Sequence, residues 1–394
     1  MVRALIVLGT RPEVIKLAPV YAELKRRPGT FEVEVVSTGQ HRHLASQMLQ
    51  VFDIPVVADL DVMQEGQPLA ALTSRILTGL SDFLEQRRPD IVLVQGDTTT
   101  VFAAALAAFY HRIAIGHVEA GLRTRDKFQP FPEEINRRLT DAIADVHFAA
   151  TPLARQNLLA EAISEDSIFV TGNTVADALQ MVLSRQPTLA NTPLEWADHW
   201  LGRVIVVTAH RRENWGVPLA SICQALRRIH DAFDDVLIVI AAHPNPVVRD
   251  TLRHMLNGQQ RIRIIDPPDY MLFIPLLRRS DIVLTDSGGI QEEAPSLGVP
   301  VLVLRETTER PEGVTAGAAR LVGTDEDRIV AEVSRLLTSP RAYHEMATVR
   351  SPYGDGKAAV RIADALEYWF GLRDKPPEPF MPESNNGRAA TDTP

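Results

Sequence analysis

A single cysteine, Cys223, stands in 394 residues, so neither a disulfide framework nor a thiolate metal cluster can form. It lies in SICQALRRIH, a helical pattern in which a thiol reads as core rather than as nucleophile. No apolar run approaches the roughly 20 residues that span a bilayer. The opening MVRALIVLGTRPE has a short apolar stretch, no small-residue cleavage site and a charged end. It reads as a first buried strand rather than a signal peptide. Cytoplasmic localisation and no membrane partner are therefore expected. Positive charge is also in short supply. A net charge of -9 argues against a nucleic-acid binder, which needs a basic surface to neutralise phosphates. A small anionic ligand remains compatible, because a few placed Arg and Lys residues dominate locally. HExxH, paired CxxC and carboxylates at metal-site spacing are missing, so no metal is expected. GxGxxG and GxxxxGK[ST] are missing too, which argues against a tightly held dinucleotide or an ATP P-loop.

What is present is a globular composition, 45% hydrophobic and 23% charged, in a chain long enough for two cores. Short Val/Ile/Leu runs alternate with amphipathic stretches such as Val14–Arg26 and Leu69–Glu85. Ala4–Leu8, Val33–Ser37, Ile91–Val94, Ile113–His117 and Val146–Ala149 form one series of strands. Val204–Thr208, Leu237–Ala241, Ile262–Ile265, Ile282–Thr285 and Val301–Leu304 form a second. Continuous apolar runs between helices predict parallel strands covered on both faces, and two series predict two doubly wound α/β domains. The first domain is expected over 1–178 and the second over 193–355, joined through QPTLANTPLE. A last helix within Asp355–Leu372, opened by PYGDG, is expected to complete the first domain from about 356 to 372. From Asp374 the chain is rich in proline and polar residues, so 374–394 is expected to be disordered.

In open α/β sheets ligands bind beyond the carboxyl ends of the strands, and the polar motifs fall there. GTRPEVIK places Arg11 and Lys16 about a helix N-terminus, a pattern suited to a diphosphate, although Lys16 also reads as a solvated helix residue. In TDSGGIQEEAPSLGVP, Ser287, Gly288 and Gly289 would offer a hydroxyl and bare N–H groups to a phosphate. Glu293, one turn further in, would suit a ribose diol. Arg305 and Arg310 read either as clamps or as ion-pair partners of Glu309. Asp97 and Glu119 end successive strands, where crowding and desolvation would drive two acids apart in pKa. Glu133 and Arg137 form an i,i+4 pair whose plain reading is a surface salt bridge. His210, beside Arg211 and Arg212, is poorly placed to gain a proton and well placed to meet a phosphate or leaving-group oxygen. His243, like His41 and His43, reads as an isolated loop or core residue.

Together these motifs resemble those of the non-hydrolysing UDP-N-acetylglucosamine 2-epimerases. The matching strings are GTRPEVIKLAP, QGDTTT, GHVEAGLRT, PEEINR, TGNTVADAL, TAHRREN and DSGGIQEEAPSLGVPVLVLRETTERPEGV, in family order up to about Gly356. The resemblance implies a GT-B-like fold: two Rossmann-like domains facing a cleft, with the final helix crossing back to the first. It implies reversible conversion of UDP-N-acetylglucosamine to UDP-N-acetylmannosamine through elimination and re-addition of UDP, a homodimer and no cofactor. Nucleotide contacts map onto Arg11, Lys16, His210, Phe273, Ser287, Gly288, Gly289, Glu293 and Arg310. Acid/base carboxylates map onto Asp97, Glu119 and Glu133, with Arg137 close by. Pro268 stands where some members carry a Gln before the aromatic contact. A hydrolysing epimerase releasing N-acetylmannosamine and UDP is the neighbouring alternative. A GT-B glycosyltransferase is another, but it would leave the three acids unexplained.

Regulated bacterial members hold a second UDP-N-acetylglucosamine on a Gln-His-Arg-Gln turn and on an Arg of a later loop. Here the turn reads Gln40-His41-Arg42-His43, and Gly66 stands where that Arg would be. Gln40, His43, Gly66, Arg211 and His243 are thus read as possible remnants of a regulatory site. Activator-independent turnover is expected unless Arg42 or Arg75 replaces the lost contact.

Overall fold

The computed structural model describes residues 1–40, 42–64 and 66–382, without the side chains of residues 42–44 and 212. It divides into two compact units, Met1–Met181 with Tyr353–Pro382, and Val182–Pro352. The first holds a seven-stranded sheet of β1 (Val2–Leu8), β2 (Phe31–Ser37), β3 (Ala58–Asp59), β4 (Ile91–Gln95), β5 (Ala114–Ala120), β6 (Val146–Ala149) and β7 (Ile168–Val170), ordered β3-β2-β1-β4-β5-β6-β7. The second holds a six-stranded sheet of β8 (Arg203–Thr208), β9 (Val236–Ala241), β10 (Ile262–Ile265), β11 (Ile282–Thr285), β12 (Val301–Val303) and β13 (Ala319–Leu321), ordered β10-β9-β8-β11-β12-β13. Their strands pair in parallel. Every residue of β4, β9 and β11 is buried, as strands with helices on both faces require.

Strand order reverses between β1 and β4 in the first sheet and between β8 and β11 in the second. Adjacent loops diverge at such a point, which opens a crevice at the carboxyl edge. Three edge strands, β3, β7 and β13, are absent from the sequence reading. With two or three residues each, they are too short to show as apolar runs.

The closing helix, Ala358–Trp369, packs on the helix Arg11–Lys25 of the first unit. Its first N–H groups, on Ala358 and Ala359, donate to Asp177 at 3.2 and 2.9 Å. Arg27 fixes its other end through Asp364 at 2.7 Å and Glu367 at 3.1 Å. The expectation of disorder from Asp374 is corrected for the stretch up to Pro382. Phe380 is buried, donates its N–H to Val170 O of β7 at 2.8 Å, and lies under the Arg361 guanidinium. An edge strand offers unpaired backbone groups, and here the proline-rich segment takes one of them. Positions 383–394 lie outside the described residues. Among those described, no helix is long and apolar enough to cross a membrane.

Candidate active site

In the first unit the loop after β1 carries Gly9 and Thr10, Arg11 opens the helix that follows, the loop after β4 carries Asp97, and β5 ends in Glu119 and Ala120. Pro12 sits in the first turn of the helix Arg11–Lys25, where a missing N–H costs nothing. Glu13 folds back so that Oε2 accepts from Gly9 N at 2.6 Å and Thr10 N at 3.1 Å, while Oε1 accepts from Thr98 Oγ1 at 2.5 Å. Burial pushes this carboxyl up to about 7, against those hydrogen bonds. The helix start read as a diphosphate site is therefore already capped at Gly9 and Thr10 by an internal acid.

Lys16 is neither solvated nor at the helix tip. It is buried, and its Nζ lies 2.7 Å from both carboxylate oxygens of Glu119. Glu119 also accepts from Gln95 and, at 3.3 Å, from Asn173 Nδ2. Asp97 receives the guanidinium of Arg137, which donates from its other arm to Glu134 at 2.9 Å. Arg137 is buried, so the plain reading of a surface salt bridge is corrected. Glu134 also accepts from Thr124 N and Arg125 N, which fixes the loop before the helix Glu133–Ile143 that Glu133 opens. Asp97 and Glu119 thus do not stand as two crowded acids; each has its own cation.

In the second unit His210 follows β8 and Asp286 follows β11. Asp286 is fully buried, 2.9 Å from His210 Nδ1, and accepts from His210 N, Arg211 N and Asn214 Nδ2 at 2.8, 2.8 and 2.9 Å. Burial opposes its ionisation, but His210 and these donors outweigh it and hold its carboxyl below the usual range. The His210 ring therefore faces an anion, a partner that local sequence did not reveal. His243 is not isolated either, since its ring stacks on His210 with centroids 6.1 Å apart. Burial, then the neighbouring His210, pushes its pKa down.

Ser287 is the N-cap of the helix Gly288–Ser296. A Cβ on Gly288 would stand 2.4 Å from Arg310 Nη1, whereas one on Gly289 would meet nothing within 4 Å. Arg310 donates to Glu292 at 2.7 Å and to Glu309, Arg305 reaches Glu309 at 2.8 Å, and Arg211 lies 3.8 Å from it. Burial works against the Glu309 carboxyl, but Arg310, Arg305 and Arg211 hold it well below the usual carboxylate range. Both arginines read as clamps are thus ion-paired. Glu293 accepts from Tyr270 Oη at 3.0 Å, and Phe273 is buried in the same helix, Tyr270–Arg279.

Of the possible regulatory remnants, Gln40 accepts from Thr100 Oγ1 at 2.7 Å. Gly66 has φ +67° and open space around it. The His43 side chain lies outside the described residues. Arg75, considered as a substitute, donates to Gln67 at 2.6 Å and to Val62 O. Sequence reasoning assigned no role to Glu13, Gln95, Asn173, Asn214, Tyr270 or Asp286. All of these except Tyr270 lie inside the quoted motifs, and that proximity was the available signal.

A family profile described as UDP-N-acetylglucosamine 2-epimerase matches residues 22–367. The UDP-N-acetylglucosamine 2-epimerase of Escherichia coli is 50% identical over 93% of this chain and 98% of its own length. A UDP-bound structure from S. aureus is 42% identical with a TM-score of 0.91, covering 97% of this chain and all of that one (100%). The Neisseria meningitidis UDP-GlcNAc 2-epimerase bound to UDP-GlcNAc is 44% identical with a TM-score of 0.88, covering 93% and 100%.

Proposed function

The chain belongs to the UDP-N-acetylglucosamine 2-epimerase family, and from that premise we propose that it reversibly inverts carbon 2 of UDP-N-acetylglucosamine without hydrolysing it. The hydrogen on carbon 2 is not acidic, because no carbonyl is adjacent. Departure of UDP from carbon 1 builds positive charge that acidifies it. A carboxylate then takes the proton, a glycal and UDP form, and UDP re-adds as a proton returns to the opposite face. No redox cofactor is needed for this sequence of steps.

Asp97, Glu119 and Glu133 are assigned the proton transfers, with Arg137 holding Asp97. Arg11, Lys16, His210, Ser287, Gly288, Gly289 and Arg310 are assigned the diphosphate. Phe273 and Glu293 are assigned the nucleoside. What supports the reading is the buried couple Lys16–Glu119 and the pairing of buried Arg137 with half-buried Asp97, at the ends of neighbouring strands β5 and β4. A cation stands beside each acid, and an approaching phosphate competes for that cation. Ground-state pairing and substrate-state release would then follow from one arrangement.

The test is an NMR time course with UDP-N-acetylglucosamine as sole substrate. Appearance of UDP-N-acetylmannosamine supports the proposal. Free N-acetylmannosamine with UDP would show the hydrolysing reaction instead, and no change would remove the activity altogether.

A further inference from the structure

His117 lies in β5, two residues before Glu119, and is fully buried. Its ring meets an oxygen at each nitrogen: Nδ1 is 2.6 Å from Asp141 Oδ1 and Nε2 is 2.7 Å from Gly96 O. A neutral imidazole carries one N–H and can serve only one of two acceptors. The other nitrogen would then turn its lone pair onto an oxygen, a buried clash of like dipoles. His147 in β6 is the contrasting case, for its nitrogens meet Asp141 O at 2.8 Å and the Ser167 hydroxyl at 3.2 Å. A hydroxyl donates or accepts as required; a carboxylate and a carbonyl only accept.

Among the described residues, the His117 ring interacts with Asp141 and His147, and Asp141 in turn with Arg123. Asp141 also accepts from Arg123 Nη2 at 2.7 Å and from Gly121 N at 3.2 Å. Burial would raise this carboxyl, but His117 and Arg123 outweigh burial and hold it at about 2.

The backbone explains what such a pair would be for. Glu119 has φ +66°, in the left-handed region that a residue with a side chain occupies only under constraint. The register of β5 against β6 shifts between Val118 and Ala120, so Glu119 is the extra residue of a bulge. That bulge turns its carboxylate toward Lys16. On one side of it, Gly96 N donates to Val118 O at 3.1 Å while Gly96 O faces His117. On the other side, Gly121 N is tied to Asp141. Gly96 also begins the turn that carries Asp97.

We propose that His117 is a positioning residue, a buried imidazolium whose two N–H groups, directed to Gly96 O and to Asp141, lock the Glu119 bulge and the Asp97 turn in one geometry. Its kinetic consequence rests on the reading of Asp97 and Glu119 as proton-transfer groups; its protonation state does not. Long-range ¹H–¹⁵N correlation of histidine-labelled protein at neutral pH tests the latter, with assignment through contacts of the ring protons to the Gly121 N–H. Both nitrogens of His117 are expected to carry a proton, and one bare nitrogen overturns the proposal.

His117→Gln puts a carbonyl acceptor in place of one of the two N–H positions, and it is expected to lower kcat about 100-fold while leaving UDP affinity within about twofold. A kcat within tenfold of wild type overturns the positioning role, as does a loss shared equally with UDP affinity. If His117→Gln fails to fold, the ring spectrum of the wild-type protein still decides. Should the wild-type enzyme leave UDP-N-acetylglucosamine unchanged, the functional reading falls while the spectrum remains informative.

Discussion

At the carboxyl edge of the first sheet, Glu119 and Asp97 each meet one buried cation, whereas at that of the second sheet Arg211, Arg305 and Arg310 converge on Glu309. Both sheets are doubly wound and both gather polar residues beside their switch points. The charge logic nevertheless differs. A carboxylate that meets one cation is exchangeable, because a cation that turns to a phosphate releases its acid for chemistry. A shared carboxylate under three arginines is a fixed mount, which orients donors in advance and spares reorganisation when an anion arrives. The first arrangement suits proton transfer and the second suits holding a leaving group.

The largest effect that would break this comparison is on the mount itself. Glu309→Gln leaves buried guanidinium groups without their shared anion and is expected to cost about 3–5 kcal/mol in urea unfolding. Because the Glu309 carboxyl is held low, its contribution persists through neutral pH and fades only in acid. A loss below about 1 kcal/mol would mean the network is not a unit.

Next come the exchangeable acids. Asp97→Asn and Glu119→Gln are each expected to cut turnover by about two to three orders of magnitude, since each removes a group proposed for proton transfer. UDP affinity by calorimetry should change little. A variant that retains more than about a tenth of the wild-type rate would strip its residue of that role.

Gly288→Ala sharpens the contrast from the other side. Its Cβ would come within 2.4 Å of Arg310 Nη1, and Arg310 is tethered to Glu292 and Glu309, so the guanidinium must leave its mount. We expect UDP binding to weaken about tenfold, close to 1.4 kcal/mol, with kcat less affected. Unchanged binding would show that the close approach of Gly288 and Arg310 has no part in holding UDP.

Glu13→Gln separates the two units by pH. Glu13 rises from 4.5 to about 7 on folding, so between those values the unfolded chain releases a proton that the folded one keeps. Stability from this group is present below the lower value and is lost as pH rises through the upper one, by up to about 3 kcal/mol. Thermal melts should therefore show the variant gaining on wild type as pH rises through that window. A constant gap between the two curves would contradict the shift.

The smallest effect is an absence. With Gly66 offering no side chain, the reverse reaction from purified UDP-N-acetylmannosamine is expected to start without a lag. A lag abolished by a trace of UDP-N-acetylglucosamine would show that another residue supplies the activator contact.

Much of the candidate site was legible because the proposed residues sit in short motifs after apolar strands. The strands β4 and β11 are runs of Ile, Val and Leu closed by Gln95 and Thr285, and the polar residues just beyond them include Asp97 and Ser287. Partners were not legible. Lys16 finds Glu119, Arg137 finds Asp97 and His210 finds Asp286 only because parallel strands distant in sequence lie side by side. The Glu119 bulge was equally hidden, since nothing in HVEAG distinguishes a straight strand end from a left-handed turn of the backbone. Composition misled at Phe380, where a proline-rich segment that cannot form a helix still covers an edge strand.

By itself, then, the order of residues determined two parallel α/β sheets, the loops that carry polar chemistry and the family to which the chain belongs. Period and composition are local properties, and they survive in a linear string. Tertiary structure alone decided which charges neutralise one another, which carboxyl is driven up by burial and which is held down by arginine. Those outcomes depend on distance and desolvation, and both arise only when separate segments are packed together.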